Sequence, residues 1–181
     1  MSTVILIGAP GSGKTTAGSL LARRLGQSFI DTDQVIEDEA AMPISEIFLE
    51  HGEDYFRKLE KQCIQRVLDQ VAVDPAVVSL GGGSVLDPQT QEVLKRFRGI
   101  QSNKIIWLHV DISEAIKRIG MNQARPLLLG NVRSNMIKLL NERTPIYQEL
   151  ASASVETSGQ APEAVVNSIF ELINEGAGDN A

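Results

Sequence analysis

Eight residues near the start of the chain, "GAPGSGKT", fit the spacing G-x-x-x-x-G-K-[ST] at Gly8, Gly13, Lys14 and Thr15. Glycines at such places let successive backbone N–H groups turn inward around a phosphate, and a helix starting at Lys14 adds the positive end of its dipole. Gly11, Ser12 and Thr16 complete the loop. Lys14 can then reach the β- and γ-phosphates of a nucleoside triphosphate, and the Thr15 hydroxyl suits Mg²⁺. The chemistry on offer is movement of a terminal phosphoryl group. The loop alone does not name the acceptor, since switch proteins, motors and transporter subunits share it.

Residues elsewhere bear on the acceptor. "DTD" sets Asp31 and Asp33 two apart, on one side of the chain if a strand still runs there. One carboxylate can hold Mg²⁺ through water while the other accepts a proton from, or orients, an acceptor hydroxyl. The plainer alternative makes Asp33 the N-cap of a helix over "QVIEDEA". Arg57 in "FRKLE" stands three residues before Glu60, which an internal ion pair would explain. Arg125 in "ARPLL" and Arg143 in "NERTP" are ordinary alone. Together they offer an acidic chain a set of cations suited to bidentate carboxylate and phosphate binding. A second glycine run, Gly81, Gly82 and Gly83 in "SLGGGSVL", follows a short apolar stretch. His51, His109, Trp107 and Cys63 read as structural residues.

The elements that must position these groups alternate short apolar strands with amphipathic helices. Strands are expected at "TVILIG", "SFIDTD", "VVSL", "KIIWLHV" and "ASVET". Helices are expected from about Lys14 to Leu25, closing at Gly26, and with breaks across 33–70, where Pro43 opens a turn and Gly52 closes it. Further helices run over "DPQTQEVLKRF" with Asp87 as N-cap and Pro88 at its first position, from about Ser113 to Ile119, and across 134–150 with a break at Thr144-Pro145. The last helix spans Pro162 to Glu175. Strand after helix after strand implies an α/β fold with a parallel sheet covered on both faces. Ligands in such sheets bind beyond the carboxyl ends of the strands, where both glycine runs and both aspartates fall.

Bulk properties narrow the class. With 181 residues the chain reads as a single domain over 1–181, including a flap at 119–133 and a frayed tail at 176–181. A net charge of −6 and 4% aromatic residues argue against nucleic-acid or anionic-membrane binding. One cysteine excludes an internal disulfide and favours a reducing compartment. Neither a signal peptide nor a membrane-spanning run is evident, so a cytoplasmic location is expected, and because no exposed apolar stripe stands out a monomer is expected.

The phosphate loop, "DTD", "EIF", "GEDYFRKLE", "LGGGSV", "RPLL" and "ERTPIY", in that order from Thr3 to Leu172, resemble the shikimate kinase family. The resemblance implies a three-layer P-loop kinase fold whose five parallel strands run in the order 2-3-1-4-5. It implies transfer of the γ-phosphate of ATP to the 3-hydroxyl of shikimate, with Mg²⁺ as cofactor, on the route to chorismate and the aromatic amino acids. Asp33 would touch the shikimate hydroxyls as base or orienter, within a shikimate-binding segment at about 33–62. Asp31 would sit around Mg²⁺ through water, Arg57 and Arg143 would clamp the carboxylate, and Gly81, Gly82 and Gly83 would present backbone to the ring. Arg125 would swing onto the transferring phosphate with Lys14, and Arg118, Gln160 and Pro162 would line the adenine.

Two positions depart from that family's pattern. Ala41 stands where a glycine is usual, and "GMNQ" makes the flap less basic. The rival readings are a small kinase acting on gluconate or a nucleoside monophosphate, and a nucleotide-dependent regulatory protein without catalysis.

Overall fold

The computed structural model describes residues 2–100, 102–121 and 131–175, with Met121 and Glu175 as backbone only. Its strands are β1 (Val4–Ile7), β2 (Phe29–Asp31), β3 (Val77–Ser79), β4 (Lys104–His109) and β5 (Ala153–Glu156). All pair in parallel, in the order β2-β3-β1-β4-β5. The "VILI" run is buried along its whole length, as a strand covered on both faces requires. Alternate side chains serve the two layers. Ile5 and Ile7 pack with Ile36, Ile47, Phe56, Leu94 and Tyr147, whereas Val4 and Leu6 pack with Ala17, Leu21, Val165 and Ile169.

The helices are α1 (Lys14–Leu25), α2 (Thr32–Ala40), α3 (Ile44–His51), α4 (Glu53–Val71), α5 (Pro88–Arg98), α6 (Ile112–Met121), α7 (Val132–Leu150) and α8 (Pro162–Glu175). Punctuation expected from the residue types is present. Gly26 ends α1 at φ 64, Pro43 and Gly52 bound α3, and Asp87 caps α5 by accepting the Thr90 N–H at 2.7 Å.

Two expectations change. The strand drawn through "SFIDTD" stops at Asp31, because the Asp31 carboxylate accepts the Asp33 N–H at 3.1 Å and starts a helix at Thr32. Asp31 is therefore the N-cap, and Asp33 lies in the first turn of α2. The break expected at Thr144-Pro145 is absent, and α7 continues through Pro145. Proline inside a helix costs about 3 kcal/mol. Burial of Met136, Tyr147 and Leu150 on α7 offsets it. The segment 119–133 expected as a flap is helical at both ends, while 122–130, with Arg125, lies outside the described residues.

Candidate active site

The phosphate loop leaves β1 and enters α1 with Gly8, Gly11 and Gly13 at φ 150, 79 and 86. Space as well as φ selects two of them. A Cβ at Gly8 would lie 2.5 Å from the Leu108 carbonyl oxygen, and one at Gly11 would lie 2.8 Å from that of Ala115. Lys14, at the first position of α1, is buried, and its ammonium donates to the carbonyls of Gly8 at 2.9 Å and Ala9 at 3.0 Å. The ammonium thus stands at the mouth of the loop. Thr15 Oγ1 donates to Asp31 Oδ2 at 2.7 Å, which joins the loop to the end of β2.

Beyond β3 the three glycines need no unusual φ, since none of them is among the positive-φ glycines. They need room. A Cβ on Gly81 would fall 2.6 Å from Glu60 Oε1 and 2.7 Å from Asp33 Oδ1. A Cβ on Gly83 would fall 2.6 Å from Arg57 Nη1 and 2.8 Å from Nη2. Asp33, Arg57 and Glu60 therefore press against the backbone of residues 81–83 from one side. The carbonyls of this loop are in use: Gly81 accepts from Ser84 N and Oγ, and Gly82 accepts from the Tyr147 hydroxyl at 2.6 Å. The Gly81 N–H is in use as well, donating to Thr32 Oγ1 at 3.2 Å.

Charge in this cradle is divided between the ion-paired Arg57 and the buried Arg143. Arg57 donates to Glu60 Oε2 at 2.6 Å and through Nη2 to Glu53 Oε1 at 3.1 Å, so the ion pair expected within "FRKLE" is present. Burial raises the Glu60 carboxyl above its ordinary value despite the nearby Arg57 guanidinium, and Asp33 pushes in the same direction. Arg143 is only 7% exposed, and its Nε has no hydrogen-bond partner among the described residues. A buried guanidinium left so is costly unless an anion completes it.

On the other side of the phosphate loop, Ser12, Gly13, Thr16, Glu114, Arg118, Thr157, Gln160 and Pro162 line a cavity of about 290 Å³. Arg118 spans its wall, donating to Gly11 O at 3.3 Å, Thr157 O at 2.8 Å and Glu114 Oε1 at 3.2 Å. Arg118, Gln160 and Pro162, scattered over 45 positions of sequence, thus share one wall beside the loop.

Glu60, Tyr147 and Thr157 belong to these walls although sequence reasoning gave them no site role. A signal for Glu60 was present. It falls in the buried stripe Phe56, Glu60, Cys63, Ile64, Val67 of α4, where an acidic side chain is out of place without a partner. Tyr147 and Thr157 carried none, because their importance rests on backbone carbonyls that pattern does not reveal.

A family model described as shikimate kinase matches residues 10–174. The shikimate kinase of Thermobifida fusca is 45% identical over 175 residues, covering 97% of this chain and 96% of the relative. That of Salinispora arenicola is 40% identical over 169 residues, covering 93% and 96%. Among solved structures, the shikimate kinase of Acinetobacter baumannii in complex with shikimate aligns at a TM-score of 0.88 and 30% identity, over 97% of this chain and 94% of that one. The Aquifex aeolicus shikimate kinase aligns at 0.80 and 30% identity, over 99% of each chain. A gluconokinase from Sinorhizobium meliloti reaches 0.59 at 17% identity, a likeness of fold alone. A phosphate loop at the centre of the sheet, a glycine-floored cradle on one side and this extent of matching agree on one assignment: the chain belongs to the shikimate kinase family.

Proposed function

We propose that the chain moves the γ-phosphoryl group of ATP to the 3-hydroxyl of shikimate, and that the residues described above divide the work between two cradles. The observation that carries the choice of acceptor is the buried Arg143 guanidinium, whose Nε has no hydrogen-bond partner among the described residues, close enough to the Arg57–Glu60 pair to act on the Glu60 carboxyl. A small anionic ring would complete that charge, its carboxylate between Arg143 and Arg57. Its hydroxyls would face Asp33 over the floor of Gly81, Gly82 and Gly83, where no Cβ intervenes. Asp33 accepts or orients the reacting hydroxyl proton. Glu60 fixes the Arg57 guanidinium by a 2.6 Å hydrogen bond.

On the donor side Gly11, Ser12, Gly13, Lys14, Thr15 and Thr16 hold the phosphates, and Arg118, Gln160 and Pro162 hold the base. The oxygens of Thr15 and Asp31, 2.7 Å apart at the end of the loop, fit Mg²⁺, which takes one or two protein groups and shares phosphate oxygens. When bound, Mg²⁺ would neutralise charge on the β- and γ-phosphates. Thr15 would touch the ion and Asp31 would act through water. Lys14 would exchange its loop carbonyls for phosphate oxygens, and Arg125 would approach the transferring group from segment 119–133. The protein's part is positioning and charge neutralisation. On this reading it works as a cytoplasmic monomer on two small molecules, without nucleic acid or membrane; among the described residues no helix is long and apolar enough to cross one.

ADP release with Mg-ATP, measured with shikimate, gluconate and AMP in turn, tests the proposal. Turnover with shikimate alone supports it. Turnover with gluconate or AMP keeps the donor cradle and replaces the acceptor, and no turnover with any returns weight to a regulatory protein.

A further inference from the structure

Strands β4 and β5 end together at the paired residues His109 and Glu156, and the chain then turns at once into the nucleotide cavity. The turn is short. Gln160 N–H donates to the Thr157 carbonyl at 3.3 Å, and Gly159 sits at φ 67. The Glu156 side chain fills the inside of this turn. Its Oε1 accepts the N–H groups of Thr157 at 2.9 Å and Ser158 at 2.8 Å, and its Oε2 meets His109 Nδ1. The Glu156 backbone carbonyl accepts from Gln160 Nε2 at 2.8 Å. Burial alone would raise the carboxyl, but the Ser158 hydroxyl and N–H and the His109 imidazole bring it down to about 2.

This turn holds Arg118. The Thr157 carbonyl accepts Arg118 Nη2 at 2.8 Å, and Thr157 Oγ1 accepts Nη1 at 3.2 Å while donating to the His109 carbonyl at 2.9 Å. Arg118 Nη1 also reaches the Gly11 carbonyl. A single carboxylate thereby shapes the turn, the turn's threonine aims a guanidinium, and the guanidinium crosses from the cavity wall to the phosphate loop.

We propose that Glu156, which does not itself line the cavity, is a positioning residue for the nucleoside triphosphate: it sets the Thr157–Gln160 turn and through it the placement of Arg118 and Gln160. This rests on the assignment of that cavity to the nucleotide. Three consequences separate it from a bland turn. Removing the carboxylate weakens ATP and ADP without weakening the acceptor, because the acceptor cradle lies across β1. An isosteric amide retains most of the affinity, since one oxygen can still accept the two N–H groups. The effect also passes through Arg118.

Calorimetric binding of ADP and steady-state kinetics of the full chain test this in Glu156→Ala, Glu156→Gln, Arg118→Ala and the double variant Glu156→Ala/Arg118→Ala. Glu156→Ala is expected to raise the ADP Kd and ATP KM about tenfold, as small displacements of binding groups do, with shikimate KM and kcat within about twofold. Glu156→Gln should recover most of the loss. The double variant should be weaker than Arg118→Ala by clearly less than Glu156→Ala is weaker than the parent. Unchanged nucleotide affinity in Glu156→Ala, equal losses for both substrates, or full additivity with Arg118→Ala would each overturn the inference. A wild-type chain that binds no ADP would remove the nucleotide reading itself, and the inference with it.

Discussion

Gly83 and the guanidinium of Arg57 compete for one volume. A Cβ at residue 83 would stand 2.6 Å from Nη1 and 2.8 Å from Nη2, and both atoms are at the far end of a flexible side chain. Adding the methyl group therefore displaces the guanidinium more readily than it strains the backbone. Arg57 would lose its 2.6 Å bond to Glu60 and, on the proposed assignment, its aim at the acceptor carboxylate. Gly83→Ala is expected to fold with a melting temperature near that of the parent, to raise shikimate KM by roughly ten- to a hundredfold, and to leave ATP KM unchanged. Kinetics with each substrate varied in turn check this. An unchanged shikimate KM would show that Arg57 does not hold the acceptor. The triple glycine was conspicuous in the sequence, but its reason was not. Flexibility and close approach of a ligand both predict three glycines, whereas the space is claimed by Glu60, Asp33 and Arg57, from helices far along the chain.

At the scale of elements, the legible boundaries were those written in local chemistry. Asp87 followed by Pro88 starts α5, and Gly26 ends α1, because a cap or a left-handed turn depends on one or two residues. "DTD" misled because a side chain, not periodicity, ends β2: the Asp31 carboxylate bends back to the Asp33 N–H. Pro145 misled in the opposite sense, since the tertiary packing that carries α7 through it is invisible in ten residues of sequence. The C-terminus of α2 carries a testable cost. Met42 N–H donates to the Glu37 carbonyl and Ala41 N–H to that of Asp38, the pattern that favours glycine at the left-handed position. Ala41 occupies that position at φ 49 and is the one non-glycine residue with positive φ among the described residues. Ala41→Gly should stabilise the fold by about 0.5–1 kcal/mol, net of the added freedom of the unfolded chain. The melting temperature should rise by about 1–4 °C. Thermal unfolding checks it, and a fall in melting temperature would mean that Ala41 carries no strain.

Strand order lays the two cradles out along the whole molecule: β2 and β3 carry the glycine-floored cradle, β4 and β5 the cavity beside Arg118, and β1 feeds the phosphate loop between them. Titration also differs between the halves. Glu156, brought from 4.5 to about 2, contributes stability that is complete above pH 4.5 and lost as pH falls through about 2. Glu60, raised by burial, acts oppositely, and its contribution is present below the unfolded value and lost as pH rises through its folded one. Urea unfolding should therefore show the stability advantage of the parent over Glu156→Gln shrinking between pH 4.5 and about 2, and a constant difference would contradict the sign. Where the halves meet, the decisive residue is Gly82. A Cβ there would lie 3.1 Å from the Gly8 carbonyl oxygen and 3.1 Å from Pro10 Cδ, both in the phosphate loop. Retreat is blocked, because the Tyr147 hydroxyl holds the Gly82 carbonyl at 2.6 Å and Tyr147 is fully buried. Neither a main-chain oxygen nor a proline ring can swing aside as Arg57 can. Gly82→Ala should push the acceptor floor and the phosphate loop apart by a few tenths of an ångström and raise the KM of both substrates, by roughly fivefold or more each. Gly83→Ala touches one substrate, so the pair of variants separates local obstruction from a shared seam. If Gly82→Ala altered only shikimate KM, the contact between the loops would be slack, and ATP would be held independently of the acceptor floor.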